Sequence, residues 1–439
     1  MEQAYHDKSE KIRSSARTKS LPAPLDSNML FAFLVPSHYT SAFCNSPFIE
    51  YVKSSSSEED PEPFHPSDFV NSMINGLVQN EDSPKSQIFS DQSHNVPEFT
   101  PIGNHFFNLN AQFTASDIYT KAFKMAKDQY GCRLLQKKLE EMNPFSLQTI
   151  FEQIQSNLPE LMVDPFGNYL IQKLLEVCEE PVFETILDSV SLHLCSISLN
   201  AHGTRAVQKL IDLLSNYPKH ITKVVESLSS DILVLIKDAN GNHVVQRCVN
   251  SLKSPQNQFI YEITGKFINE IATDRHGCCV LQKCIQAATQ TQKKELIDKI
   301  IKKAVELVQD AYGNYVVQYV IDLNSSSVNA ELAHIFMNSI QQLATQKFSS
   351  NVIEKCLQQN CEDVQQKMIE EIGKSENISK MIGDQYANYV VQRALSLARP
   401  FMLEKMLENI KPKLEELKNS HFGKKIYYKL LKNYPTLID

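Results

Sequence analysis

Residues 310–319 read DAYGNYVVQY. The same pattern returns seven times, as DQYGCRLLQK (128–137), DPFGNYLIQK (164–173), NAHGTRAVQK (200–209), DANGNHVVQR (238–247), DRHGCCVLQK (274–283), QKFSSNVIEK (346–355) and DQYANYVVQR (384–393). The steps between copies are 36, 36, 38, 36, 36, 36 and 38 residues. A fixed period of this size marks a solenoid, in which one supersecondary unit cannot bury its apolar face alone and stacking does so. Six of the twelve glycines occupy one slot of the motif: Gly131, Gly167, Gly203, Gly241, Gly277 and Gly313.

Each copy opens on Asp or Asn, Gln346 excepted, and runs into an apolar-periodic stretch. A side-chain oxygen at that place can cap the orphan N–H groups of a helix start. Between motifs lie further amphipathic stretches such as ELIDKIIKKAVELV (295–308), with apolar pairs three to four residues apart. The period therefore leaves room for two main helices and a short linking one per repeat. The expected fold is all-α: a right-handed α-solenoid of eight repeats, each about 36 residues long. HFGKKIYYKLLK (421–432) sets Gly423 36 residues after Ala387, but with Lys424, Lys425 and Tyr428 in the variable slots. It reads as a C-terminal cap at about 410–435. HFFNLNAQF (105–113) is the candidate N-terminal cap.

The chain before the repeats differs in kind. Residues 1–104 form an acidic leader, with SSSSEEDPEPFHPSD (54–68) too rich in Ser, Pro and carboxylates to build a core. The leader is read as disordered, with one apolar segment, FVNSMINGLV (69–78), of transient helical character. Residues 105–439 form the repeat domain. Net charge is −7, yet the first 110 residues hold 7 Lys/Arg against 14 Asp/Glu, and the remainder holds 37 of each. The total therefore says little; placement on one face decides. The ten cysteines are scattered, with no CxxC pair and no zinc spacing, which suits free buried thiols such as Cys248, Cys284 and Cys356 in a reducing compartment. No run approaches eighteen apolar residues and the N-terminus lacks a signal peptide, so a cytosolic or nuclear protein without membrane or metal is expected.

Counting from the glycine, the third and fourth slots are always aliphatic or Ala, from Leu134/Leu135 to Val390/Val391, and must be core. The first and fifth are i and i+4 neighbours on another face, and the second lies beside them. The first/fifth pairs are Cys132/Gln136, Asn168/Gln172, Thr204/Gln208, Asn242/Gln246, Cys278/Gln282, Asn314/Gln318, Ser350/Glu354 and Asn388/Gln392. The second slots are Arg133, Tyr169, Arg205, His243, Cys279, Tyr315, Asn351 and Tyr389. Amides offer a donor and an acceptor together, as a base edge does, and flat side chains stack on bases. The next residue is Lys or Arg in all copies but one, Tyr319, so that row could meet phosphates. A ladder that merely joined repeats would keep one residue throughout; it would not rotate Asn, Cys, Thr and Ser through one slot, nor place a lone carboxylate at Glu354.

These motifs, NYVVQ and SNVIE above all, resemble the Pumilio (PUF) RNA-binding family over about residues 105–439. The family is a standard example of one base read per helical repeat. The resemblance implies that the first and fifth slots meet a base's Watson–Crick edge while the second stacks. Asn with Gln then reads uracil, a small Cys, Ser or Thr with Gln reads adenine, and Ser with Glu reads guanine. The guanine rule has a physical sense, because N1–H and N2–H are adjacent donors and a carboxylate only accepts. With RNA antiparallel to the repeats, the implied target is 5′-UGUAUAUA-3′. The resemblance also implies a non-enzymatic, cytoplasmic protein with no cofactor. It would bind single-stranded mRNA with UGUA elements in 3′ untranslated regions, as a monomer, and repress through a deadenylase complex or other translational repressors. Cys279 cannot stack as Arg or an aromatic would, Thr204 is a less usual adenine slot, and Ala387 and Ser349 replace the slot's glycine. Two other readings use the same repeats: a peptide-binding α-solenoid scaffold, and a nucleolar PUF relative in ribosome assembly.

Overall fold

A computed structural model describes residues 113–420 and 423–437, all within one compact unit, Gly103–Asp439. The leader 1–104, its segment 69–78 and all but the last residue of HFFNLNAQF lie outside the described residues.

Every repeat has the expected three helices. In the second they are a short helix, Leu158–Val163, an inner helix, Gly167–Val177, and an outer helix, Glu180–Val190. The inner helices are Gln129–Glu140, Gly167–Val177, Gly203–Leu214, Gly241–Ser251, Gly277–Ala287, Gly313–Asp322, Ser349–Gln359 and Ala387–Leu397, each packed on the next. The fold is an α-solenoid, and a ninth inner helix, Gly423–Asn433, continues the series at the C-terminal end. That helix buries Ile426 and Leu430 while Lys424, Lys425 and Tyr428 stay exposed.

The third and fourth slots form the core: Leu170, Ile171, Val244, Val245, Val316, Val317, Val390 and Val391 are all 0% exposed. Leu134, in the first repeat, is the exception and is half-buried. Cys248, Cys284 and Cys356 are buried among these aliphatics as expected, and burial pushes each thiol up to about 12. Two of the described cysteines, Cys279 and Cys361, are exposed instead.

One device sets the angle at which each inner helix starts. Asp164 Oδ1 accepts from Phe166 N at 2.9 Å and Gly167 N at 2.8 Å. Asn200, Asp238, Asp274, Asp310 and Asp384 do the same in their repeats. Only in repeat one is the opening residue, Asp128, itself the N-cap, accepting from Gly131 N; in these others it stands two residues before the N-cap and still satisfies N–H groups at the helix start, as its position suggested. The glycine that follows serves close approach and not a left-handed backbone. A Cβ on Gly203 would lie 2.4 Å from Ile197 O, on the short helix before it. Repeat seven lacks both cap and glycine, and Ser349 compensates: its hydroxyl donates to Leu343 O at 2.5 Å, the carbonyl that in other repeats faces the glycine.

One stretch, Glu180–Leu199, is long and apolar enough to cross a membrane by length and composition. It is broken by a turn at Ser191–His193, and it packs Phe183, Ile186, Leu187, Val190, Leu194 and Ile197 into the core.

Candidate nucleic-acid interface

The three variable slots lie at three depths on the inner helices. The second is outermost: Arg133, Tyr169, Arg205, Cys279, Asn351 and Tyr389 are exposed, and His243 and Tyr315 are half-buried. The fifth is half-buried in all eight repeats, at Gln136, Gln172, Gln208, Gln246, Gln282, Gln318, Glu354 and Gln392. The first slot is the floor. Cys132, Asn168, Thr204, Asn242, Cys278, Asn314, Ser350 and Asn388 are between 1% and 6% exposed. Position along the helix placed the first slot beside the fifth, which holds, but gave no sign of its depth. In two repeats a contact with the following repeat accompanies it. Cys132 Sγ donates to Phe166 O at 3.2 Å, and Thr204 Oγ1 to Asn240 O at 3.1 Å. Cys132 and Thr204 are therefore lodged beneath the start of the next inner helix, whereas Cys278 and Ser350 bond carbonyls of their own repeat, Arg275 O and Lys347 O.

The four Asn–Gln repeats share one geometry. Asn168 Nδ2 donates to Asp164 O at 2.9 Å and Pro165 O at 3.0 Å, while Asn168 Oδ1 accepts from Gln172 Nε2 at 3.0 Å. Asn242/Gln246, Asn314/Gln318 and Asn388/Gln392 repeat this at 2.8–3.1 Å. The chain from carbonyls through Asn to Gln fixes which end of the fifth-slot amide is committed. Nε2 is used, and Oε1 remains to accept. In repeat eight, Gln392 Oε1 is buried without a hydrogen-bond partner, which is costly unless a ligand donor meets it. An N–H on the edge of a base would.

The small-residue repeats hold the fifth slot otherwise. Gln136 Nε2 donates to Cys132 Sγ at 3.0 Å; burial pushes that thiol up to about 11, so it stays neutral. Gln208 Nε2 donates to Thr204 Oγ1 at 3.2 Å and Thr204 O at 3.1 Å. In repeat five, Cys278 and Cys279 bring their sulfurs to 4.0 Å. The shared hydrogen bond pushes the Cys278 thiol up and the Cys279 thiol down. Burial, with Arg205 and His276 nearby, holds His243 below the usual imidazole range, favouring a neutral ring in the second slot of repeat four.

The basic row is where the structure departs furthest from the sequence reading. Four of its seven cations are engaged with carboxylates eight residues after the first slot of the preceding repeat and are not left open for phosphates. Lys173 pairs with Glu140 at 3.2 Å, Lys209 with Glu176 at 2.9 Å, Arg247 with Asp212 at 3.4 Å and Lys355 with Asp322 at 2.5 Å. These carboxylates all stand eight residues after their repeat's first slot, on the next-but-one turn of the inner helix. A pattern search within single motifs missed them because each pair joins two repeats. Where that position holds an amide, the rung is missing or rerouted. Asn250 holds that place in repeat four, so Lys283 of repeat five meets no carboxylate there; it bonds the neutral Gln286 of its own helix at 2.9 Å, and burial depresses its amine. Gln358 precedes Arg393, which turns to Glu354, with Nε at 3.1 Å and Nη2 at 3.0 Å from Oε1.

The sequence matches the family description "Pumilio-family RNA binding repeat" over residues 121–155, 157–191, 193–217, 231–263, 267–301 and 303–332. Residues 325–425 match a "NOP9-like PUF repeat domain". A Pumilio domain-containing protein from Schizosaccharomyces pombe is 41% identical over 310 residues, covering 71% of this chain and 45% of that protein. Putative pumilio homolog 7 from Arabidopsis thaliana is 41% identical over 161 residues, 36% of this chain and 25% of its own. The chain thus spans less than half the length of these curated relatives. Among solved structures, the Puf4 RNA binding domain bound to an HO endonuclease RNA 3′ UTR recognition sequence is 39% identical, with a TM-score of 0.63. The match covers 69% of this chain and 96% of that one. The RNA-binding domain of yeast Puf5p bound to AAT2 RNA is 29% identical with a TM-score of 0.65, covering 74% and 99% respectively.

Proposed function

Because the chain belongs to the Pumilio (PUF) family of RNA-binding repeat proteins, we propose that its eight inner helices read single-stranded RNA, one base each, from repeat eight back to repeat one. The target is 5′-UGUAUAUA-3′. Uracil is assigned to Asn388/Gln392, Asn314/Gln318, Asn242/Gln246 and Asn168/Gln172. Guanine is assigned to Ser350/Glu354, and adenine to Cys278/Gln282, Thr204/Gln208 and Cys132/Gln136.

One observation carries this reading: the four Asn–Gln pairs commit Gln Nε2 inward at 2.9–3.0 Å, so that an amide oxygen is the group left for a base. Uracil's N3–H is a donor suited to it. A carboxylate stands in the same place only at Glu354, where guanine would bring two donors. The second-slot side chains Tyr169, His243, Tyr315, Tyr389, Arg133 and Arg205 would sandwich bases between successive repeats. Stacking of this kind contributes about 1–3 kcal/mol per base.

On this reading residues 105–439 are the RNA-binding domain and residues 1–104 a leader. The protein would act in the cytoplasm, as a monomer on 3′ untranslated regions of mRNAs. There it would lower translation or stability by recruiting a deadenylase complex or other repressor. The similar RNA-bound domains support the choice of ligand. A selection from random RNA with the full chain tests it. Enrichment of UGUAUAUA or a one-base variant is the expected result. A second reading, a nucleolar relative with relaxed preference, is favoured by the NOP9-like match over residues 325–425. It would return no sequence consensus from the same selection.

A further inference from the structure

The geometry points to Arg393, in repeat eight, as the residue that presets Glu354, in repeat seven, for guanine. This inference rests on the RNA reading above and names a specificity determinant that lies outside all three variable slots.

The argument starts from the inter-repeat ladder. Where the residue eight places after the first slot is acidic, at Glu140, Glu176, Asp212 and Asp322, it holds the cation of the next repeat. In repeat seven that place holds Gln358, and the next cation is Arg393. A carboxylate at 358 would claim the arginine as it does elsewhere. An amide cannot match it, because it carries no charge. Arg393 instead reaches one turn further along the repeat-seven helix. Its Nε and Nη2 both donate to Glu354 Oε1, at 3.1 and 3.0 Å. The Gln358 amide lies against the same guanidinium; the amide orientation that satisfies both groups sets its oxygen 2.8 Å from Nη2 and 3.0 Å from Nε, as a neutral acceptor beside the charged one.

The pairing does two things for recognition. It pins the Glu354 side chain through one oxygen, so a long, flexible reader is already ordered when RNA arrives and loses less freedom on binding. It also commits only part of the carboxylate. A carboxylate has about four acceptor sites, and among the described residues Oε2 makes no hydrogen bond. Two donors, N1–H and N2–H of guanine, can be met by what remains. An adenine offers an acceptor at N1, which a charged oxygen held in that place would repel. Arginine, rather than lysine, suits the task because its planar fork fixes an orientation as well as a charge.

The test uses the full chain with three RNAs: UGUAUAUA, UAUAUAUA and AGUAUAUA. The first two report guanine over adenine at the second base, and the first and third report uracil over adenine at the first. Arg393→Ala should lower the guanine preference about tenfold while the uracil preference changes little. Arg393→Lys should recover part of it. Gln358→Glu, which leaves repeat eight untouched and offers the arginine an ordinary ladder partner, should also lower the guanine preference without loss of thermal stability. A purely structural role for Arg393 would weaken all three RNAs equally and leave the ratios unchanged. Unchanged guanine preference in both Arg393→Ala and Gln358→Glu would overturn the inference. A wild-type chain with no guanine preference would overturn the base assignment as well, so the two failures are told apart by the wild-type ratio.

Discussion

Repeats two and five have the same frame and opposite reading chemistry. In both, the opening Asp accepts from the slot's glycine N–H at 2.8 Å, and in both a Cβ on that glycine would strike the short helix before it. Above the frame they diverge. Repeat two has a doubly anchored Asn168, a tethered Gln172, an exposed Tyr169 and a Lys173 tied to Glu140 and Glu176. Repeat five has two thiols and a half-buried Lys283 with a neutral partner. The frame and the slots therefore separate: the first fixes where a base would sit, the second how firmly it is held.

Disturbing the frame should produce the largest effect, and an equal one in both repeats. Gly167→Val and Gly277→Val each force side-chain atoms against a carbonyl, 2.8 Å and 2.4 Å from the ideal Cβ position respectively. Each should cost about 3 kcal/mol of stability, read as a fall in denaturation midpoint. A mild effect at either would mean the short helix yields, and the shared frame would lose its importance.

Floor residues come next. Asn168→Ala removes the partner of Gln172 and leaves Asp164 O and Pro165 O short of a donor. Affinity for UGUAUAUA should drop by about 2 kcal/mol. Cys278→Ala, which removes only a thiol, should cost well under half of that. Equal losses in a titration would erase the contrast between the repeats.

Stacking gives a smaller difference with opposite signs. Tyr169→Ala should weaken binding by about 1–2 kcal/mol, whereas Cys279→Tyr should strengthen it by up to about 1 kcal/mol. The smallest effect concerns the ladder. Asn250→Asp places a carboxylate one repeat before Lys283, completing the missing rung; a gain of about 0.5 kcal/mol in stability is expected. Because burial lowers the Lys283 pKa in the folded chain, its positive charge opposes folding most at pH below that folded value. The opposition fades as pH rises through it, so the gain from Asn250→Asp should shrink at strongly alkaline pH.

Much of this was legible in the sequence. The period, the three-helix unit, the aliphatic core slots and the cap all follow from spacing, because a helix fixes which residues share a face. Two features did not. The depth of the first slot at Cys132 and Thr204 depends on where the next repeat's backbone lies, as at Thr204 beneath Asn240 O, and spacing within one motif carries no such information. The ladder was hidden for a related reason. Lys209 and Glu176 are 33 residues apart, and only the stacked geometry shows that the row's charges are largely spent on each other. The lone carboxylate at 354 was plain from the start; that an arginine from the next repeat braces it was not.

The central claim is that each repeat's first and fifth slots choose one base. The double substitution Ser350→Asn with Glu354→Gln gives repeat seven the slots of its neighbours, and selection from random RNA reads the outcome. The account expects the second base to change from G to U with the other seven positions kept. A consensus that still holds G at that place, or that loses definition along its whole length, would contradict it.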